Sequence, residues 1–266
     1  MFTSADSAVA VAGVPFQFTV STTCPALVLI SAQGLPPGLS LVDHLASCTA
    51  TISGVVVSHQ DGVHPVALSA SASTASTAQR LALTVASPPV LRARSVINAR
   101  VGLPVFSIVS ASGFPVPTIG SSPLPAGVSL VAGANGSATL EGTPSPGAGG
   151  AYLVTITASN GVSVPATVPL HLTIDEAPTI TSAPASLSVT AGAPMAPVTV
   201  TAAGYPAPAI SALGLPGGLS LVDHLNGTAT LAGTPTGTAG RTTTVTLRAR
   251  NRAGTSTQGL VLSVGP

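Results

Sequence analysis

One nine-residue phrase occurs three times and governs everything else about this chain. Gly34-Leu-Pro-Pro-Gly-Leu-Ser-Leu-Val42 returns as Pro123-Leu-Pro-Ala-Gly-Val-Ser-Leu-Val131 and again as Gly214-Leu-Pro-Gly-Gly-Leu-Ser-Leu-Val222, at offsets of 89 and 91 residues. Self-similarity at a fixed period marks a chain built from copies of one unit. A second block follows each copy: Thr51-Ile-Ser-Gly54, Thr139-Leu-Glu-Gly142 and Thr230-Leu-Ala-Gly233. The later units then close on two alternating runs, Val154–Ala158 with Leu170–Ile174 and Val245–Ala249 with Leu260–Val264. Alternation at period two belongs to half-buried strands. With 25 Pro and 28 Gly, no window keeps an apolar stripe at helical spacing.

Units of about 90 residues holding six or seven short strands point to all-β architecture: three tandem Ig-like β-sandwich domains. Boundaries are expected where Pro clusters and the pattern restarts, at Ser87-Pro88-Pro89 and Glu176-Ala177-Pro178, giving domains 1–87, 88–176 and 177–266. Proline fixes its own φ and restricts the residue before it, so both linkers read as short and stiff. The first unit lacks the Pro-Thr-Ile-Thr opening found at Pro178–Thr181 and reads as clipped at its N-terminus.

Composition narrows the function. Charged residues are 6% of the chain, against about 25% in ordinary globular proteins, and aromatics are 3% with no Trp. The cores must therefore be built from Val, Leu, Ile and Ala, and the surfaces from Ser, Thr, Ala and Gly. The net charge is +1, and no basic stripe interleaved with aromatics exists to track a phosphate backbone, so nucleic acid is not an expected partner. Every apolar run is broken well short of the ~20 residues of a spanning helix, so no membrane insertion is expected within this chain. No Gly-x-Ser-x-Gly elbow, recognisable carboxylate pair or phosphate loop occurs, and no enzyme is expected.

The phrase Gly-Leu-Pro-x-Gly-Leu-Ser-Leu, followed by Thr-x-Leu-x-Gly-Thr-Pro and by Val-Thr-Ile-Thr-Ala-Ser-Asn160-Gly161, resembles a bacterial Ig-like domain family related to the cadherin-like domains of dystroglycan type. The resemblance covers nearly the whole chain. It implies cadherin-like sandwiches repeated in large secreted or cell-surface proteins, with no catalytic residues of their own. The family usually places Asp or Asn with Thr-Gly in the hairpin after Leu-Ser-Leu. Val42–Cys48 and Val222–Gly227 depart from that pattern, and the resemblance carries no calcium site onto them.

The remaining candidates are few. Cys24 and Cys48, the only cysteines, fall by repeat alignment near Gly204 and Gly227, on two loops of one end of the unit, and a disulfide between them is expected in an exported protein. No cofactor is expected. Calcium prefers six to eight oxygen ligands, and the sole adjacent acidic pair, Asp175-Glu176 at the second boundary, is the one place for a calcium between domains. Asp43-His44 and Asp223-His224 read as turn residues bonded to the local backbone. Asn135-Gly-Ser137 and Asn226-Gly-Thr228 match glycosylation sequons but read as type I′ hairpin turns.

The expected role is a structural or adhesive module at the cell surface or outside the cell. It would act as an extended stalk or a self-associating component whose partners are neighbouring Ig-like domains, copies of itself, or a surface protein or glycan. The alternative is a set of accessory carbohydrate-binding or spacer domains of a larger extracellular polysaccharide-active enzyme. Few exposed aromatics are available as sugar platforms, which favours the first reading.

Overall fold

A computed structural model describes residues 1–23, 27–73 and 75–266. Among them every regular element is a strand. The first unit holds β1 (Ser7–Val11), β2 (Pro15–Ser21), β3 (Leu29–Gln33), β4 (Leu39–His44), β5 (Thr49–Val55), β6 (Gly62–Ser71) and β7 (Ser76–Arg92). The second holds β8 (Val96–Arg100), β9 (Val105–Phe114), β10 (Thr118–Ser121), β11 (Val128–Ala132), β12 (Ser137–Gly142), β13 (Gly150–Ser159) and β14 (Ala166–Ser182). The third holds β15 (Ser186–Thr190), β16 (Val198–Tyr205), β17 (Ala209–Leu213), β18 (Leu219–Asp223), β19 (Thr228–Gly233), β20 (Arg241–Asn251) and β21 (Gly254–Gly265).

Each unit is two sheets face to face. In the second, β11-β12-β9 and the end of β7 form one sheet, and β10-β13-β14-β8 the other. The third repeats this with β18-β19-β16 plus the end of β14, against β15-β21-β20-β17. The first has β4-β5-β2 against β3-β6-β7-β1. Its opening strand is reduced to one bridge, Phe2 to Thr22. The first short strand of every unit runs parallel to the last, β1 beside β7, β8 beside β14 and β15 beside β21.

Alternation produces three separate cores. Val66, Leu68, Leu81 and Leu83 fill the first, Val154, Ile156, Leu170 and Leu172 the second, and Val245, Leu247, Leu260 and Leu262 the third. These are the inward positions of the closing hairpins, whose register pairs Val66 with Leu81, Val154 with Leu170 and Val245 with Leu260. Each such side chain stabilises by about 1.5–3 kcal/mol on burial, so four per unit form the nucleus of an aromatic-poor interior.

The repeated phrase encodes a backbone contact. Gly38, Gly127 and Gly218 take φ of +94°, +82° and +86°, and Gly54, Gly142 and Gly233 take +139°, +134° and +134°. A Cβ on Gly54, Gly142 or Gly233 would stand 2.0, 2.2 and 2.2 Å from the carbonyl oxygen of Gly38, Gly127 or Gly218. The glycines of the two sequence blocks therefore face each other at the mouth of one hairpin, where neither can carry a side chain.

The boundary segments are strands, not free linkers. β7 pairs with β6 and β1 up to Ala86, then with β9 of the next sandwich from Ser87 onward. β14 makes the same passage, pairing with β13 up to Ile174 and with β16 from Glu176. The register shifts between Ser87 and Val90 and between Glu176 and Thr179. Pro88, Pro89 and Pro178 fall in those shifts, on an edge strand, where a missing N–H leaves no ladder bond unmade.

Candidate functional site at the junctions between sandwiches

The passage of one strand between two sandwiches places three loops around each junction. At the second, Asn251 ends β20 and saturates its amide there. Nδ2 donates to the carbonyls of Glu176 and Pro206, both at 2.8 Å, while Oδ1 accepts from the N–H of Ala253 at 2.8 Å and of Gly254 at 3.1 Å. Asn160, the residue after β13, does the same work at the first junction, donating to Ser87 O at 2.8 Å and Pro115 O at 3.0 Å. One Asn thus ties the crossing strand to two loops in both places.

Around this shared clamp the junctions differ. Asp175 faces Arg252 in the turn after β20, which donates through Nε at 2.7 Å and through its terminal nitrogen at 2.5 Å. Those bonds raise the guanidinium further above its ordinary value. The pair is open to solvent and acts by its forked geometry, with a salt-screened contribution to stability. Arg100, at the end of β8, donates to the carbonyl of Ala253. Glu176 points elsewhere and accepts from the N–H of Gly147 at 2.7 Å and Gly149 at 3.0 Å. A Cβ on Gly149 would lie 2.6 Å from the Cβ of Glu176, so this approach requires glycine.

At the first junction the matching residues carry no charge. Ala86 stands for Asp175, Ser87 for Glu176, Val11 for Arg100 and Gly161 for Arg252, by the strand registers. A groove of about 780 Å³ opens there, lined by Val55, Val57, His59, Asp61, Pro88 and Val90 among others. Among the described residues no ion pair crosses it.

The other expected site residues are dispersed. Asp175 and Glu176, the expected calcium pair, engage separate internal partners on the two sandwiches. Cys48 is buried at φ +52° in the turn between β4 and β5, and Cys24 lies outside the described residues. Thr22 bonds the Cys48 carbonyl through its N–H at 3.1 Å and its hydroxyl at 3.2 Å. No group of three or more His, Cys, Asp and Glu side chains gathers among the described residues. No helix there is long and apolar enough to cross a membrane.

Two turn expectations need correction. Asp223 accepts from Ile210 N at 3.2 Å and Leu225 N at 3.1 Å, as a turn residue should. Asp43 does not, and both its carboxylate oxygens are buried with no hydrogen-bond partner. The first hairpin has one residue more than the third and its turn closes from Ser47 N to His44 O, and the bond that Asp223 takes from Ile210 on β17 has no counterpart at Asp43. The imidazoles of His44 and His224 bond across the hairpin to the hydroxyls of Thr51 and Thr230, while their backbone groups close the local turns. Asn135 and Gly136 take φ of +55° and +71°, as a type I′ turn requires. In the third unit Leu225 and Gly227 take the positive φ, and Asn226 instead accepts from Thr228 N at 3.0 Å.

No protein-family model and no curated protein sequence matches the chain. Solved structures of tandem Ig domains do. The titin I-band fragment I67–I69 aligns with a TM-score of 0.70 at 15% identity, covering 100% of this chain and 98% of that one. The complex of Dpr2 Ig1–Ig2 with DIP-Theta Ig1–Ig3 aligns at 0.67 and 15% identity, with 96% of each chain covered. The fold is a tandem array of Ig-like sandwiches.

Proposed function

We propose that this chain is a non-catalytic structural or adhesive segment of a secreted or cell-surface protein, an extended array of three sandwiches divided at Ser87/Pro88 and Glu176/Ala177. The reading is carried by the crossing strands: when one strand closes one sandwich and opens the next, neighbours meet end to end, and Asn160 and Asn251 hold them so. Affiliation with the bacterial, dystroglycan-type repeats rests on the paired glycine blocks and the Asn at the close of β13 and β20. Scarce surface charge supports lateral association with like domains, because mixed charge is what keeps a soluble domain solitary.

Small-angle scattering on the full chain tests the shape. A globule of this length has a radius of gyration of about 18 Å. Three units of about 35–40 Å in line give about 30–35 Å. A monomeric value below about 22 Å would overturn the extended reading.

A further inference from the structure

The third sandwich carries a charge pattern that its two sisters lack. Residues 177–266 hold four of the eight arginines, Arg241, Arg248, Arg250 and Arg252, against one acidic residue, Asp223. Arg252 is paired with Asp175, and Asp223 is turned to backbone N–H groups. Among the described residues, Arg248 and Arg250 have no carboxylate within salt-bridge distance.

Their placement is defined by the strand. In β20, Val245, Leu247 and Ala249 are fully buried, which puts Thr246, Arg248 and Arg250 on the outer face of the β15-β21-β20-β17 sheet. Residues two apart on a strand rise about 6.6–6.8 Å, so the two guanidinium groups stand in a row along the strand. The register sets Thr257 beside Arg248 and Thr255 beside Arg250 on one flank, and Ser211 beside Arg248 on the other. The matching positions are Thr157 and Ser159 in the second unit and Ser69 and Ser71 in the first. Two repeats thus keep hydroxyls where the third has two unpaired cations, in a chain that is only 6% charged.

We propose that this face binds an acidic polysaccharide, with Arg248 and Arg250 taking successive anionic groups and the flanking Thr and Ser hydroxyls meeting sugar hydroxyls. Guanidinium presents a planar fork matched to oxyanions. An open sheet face with Thr and Ser hydroxyls flanking the arginine row suits an extended chain more than a compact ligand. Nucleic acid fits less well, because single strands are held by aromatic stacking and Tyr205 is the only aromatic of residues 177–266. This site goes beyond the spacer reading and does not depend on it, since scattering reports shape and binding reports the face.

The test uses the full chain in affinity electrophoresis through gels containing dextran sulfate, neutral dextran or a single-stranded oligonucleotide of matched charge. Dextran sulfate should retard the protein, dextran should not, and the oligonucleotide should bind more weakly. The variant R248T/R250S installs the residues of the second unit at one half-buried and one exposed position of the outer face and should weaken dextran sulfate binding about tenfold at low ionic strength. The control R80S/R92S removes the same charge from exposed sites elsewhere and should leave binding within about twofold. Equal loss in both variants, equal retardation by neutral dextran, or tighter binding of the oligonucleotide would each overturn the proposal.

Discussion

Replacing Gly142 by alanine should cripple the second sandwich, whereas the same change at Gly102 should hardly be felt. Both glycines have positive φ, +134° and +78°, so both substitutions strain the backbone. They differ in space. A Cβ on Gly102 meets nothing within 4 Å, while one on Gly142 would lie 2.2 Å from the carbonyl oxygen of Gly127 and 3.1 Å from the Cα of Val128. Strain alone costs about 1–2 kcal/mol, partly offset by a less flexible unfolded chain, so Gly102→Ala should lose about 1 kcal/mol. At Gly142 the carbonyl must retreat by about 1 Å, which splays the first pair of the β11–β12 ladder, Val128 opposite Gly142. Overpacking of that kind adds about 1–3 kcal/mol to a backbone cost of about 1–3, giving about 2–6 in total. That is a large part of the 5–10 kcal/mol typical of a domain of ~90 residues. Hydrogen exchange read peptide by peptide in a urea series isolates the second unit from its neighbours. Equal protection of β9 and β12 in the two variants would refute the reasoning.

Three further outcomes follow from the junctions and the first unit. Cys24 and Cys48 should form a disulfide, because Thr22, two residues from Cys24, already bonds the Cys48 carbonyl. Intact mass should rise by two hydrogens on reduction, with a stability loss of up to about 3.5 kcal/mol, and free thiols in protein recovered from an oxidising compartment would contradict it. Thermal melts in excess calcium and in chelator should coincide, since Asp175 and Glu176 are held by Arg252 and by the N–H groups of Gly147 and Gly149; a rise of about ten degrees with calcium would show a site there. Asp175→Asn should loosen the second junction without unfolding either sandwich, as about 1 M salt should in the parent chain, and unchanged residual dipolar couplings across the junction would count against the clamp.

Much of this structure could be read from the residues. The glycine blocks predicted the repeat, and alternation marked the runs Val154–Ala158, Leu170–Ile174, Val245–Ala249 and Leu260–Val264 that lie within the closing strands, but not their full extent or their register. The crossing strands were hidden, because Pro88, Pro89 and Pro178 resemble linker residues until the register shifts that absorb them are seen. The Asp175–Arg252 and Arg100–Ala253 contacts span 77 and 153 residues, distances over which spacing carries no information. The extra hairpin residue bears on only one of the two N–H bonds that Asp223 has and Asp43 lacks. Its consequence for one N–H direction is a matter of backbone geometry that composition does not encode.

The scarcity of charge gives its few positions unusual weight. A protein with a quarter of its surface charged can scatter ion pairs without meaning, since most exposed pairs contribute almost nothing to stability. Here Asp175, Glu176, Arg100 and Arg252 stand at one junction, while the equivalent places at the other are Ala86, Ser87, Val11 and Gly161. The backbone clamps at Asn160 and Asn251 are alike, so the crossing strand alone cannot explain the difference. What the charges add is orientation: a forked Arg–carboxylate pair fixes direction as well as distance, and the first junction, at whose groove no ion pair is found among the described residues, has no such constraint. The second and third sandwiches should therefore move as one body about the first. That geometry would carry the arginine face of the third unit at the end of a stiff two-sandwich arm, with the bend confined to Ser87–Val90.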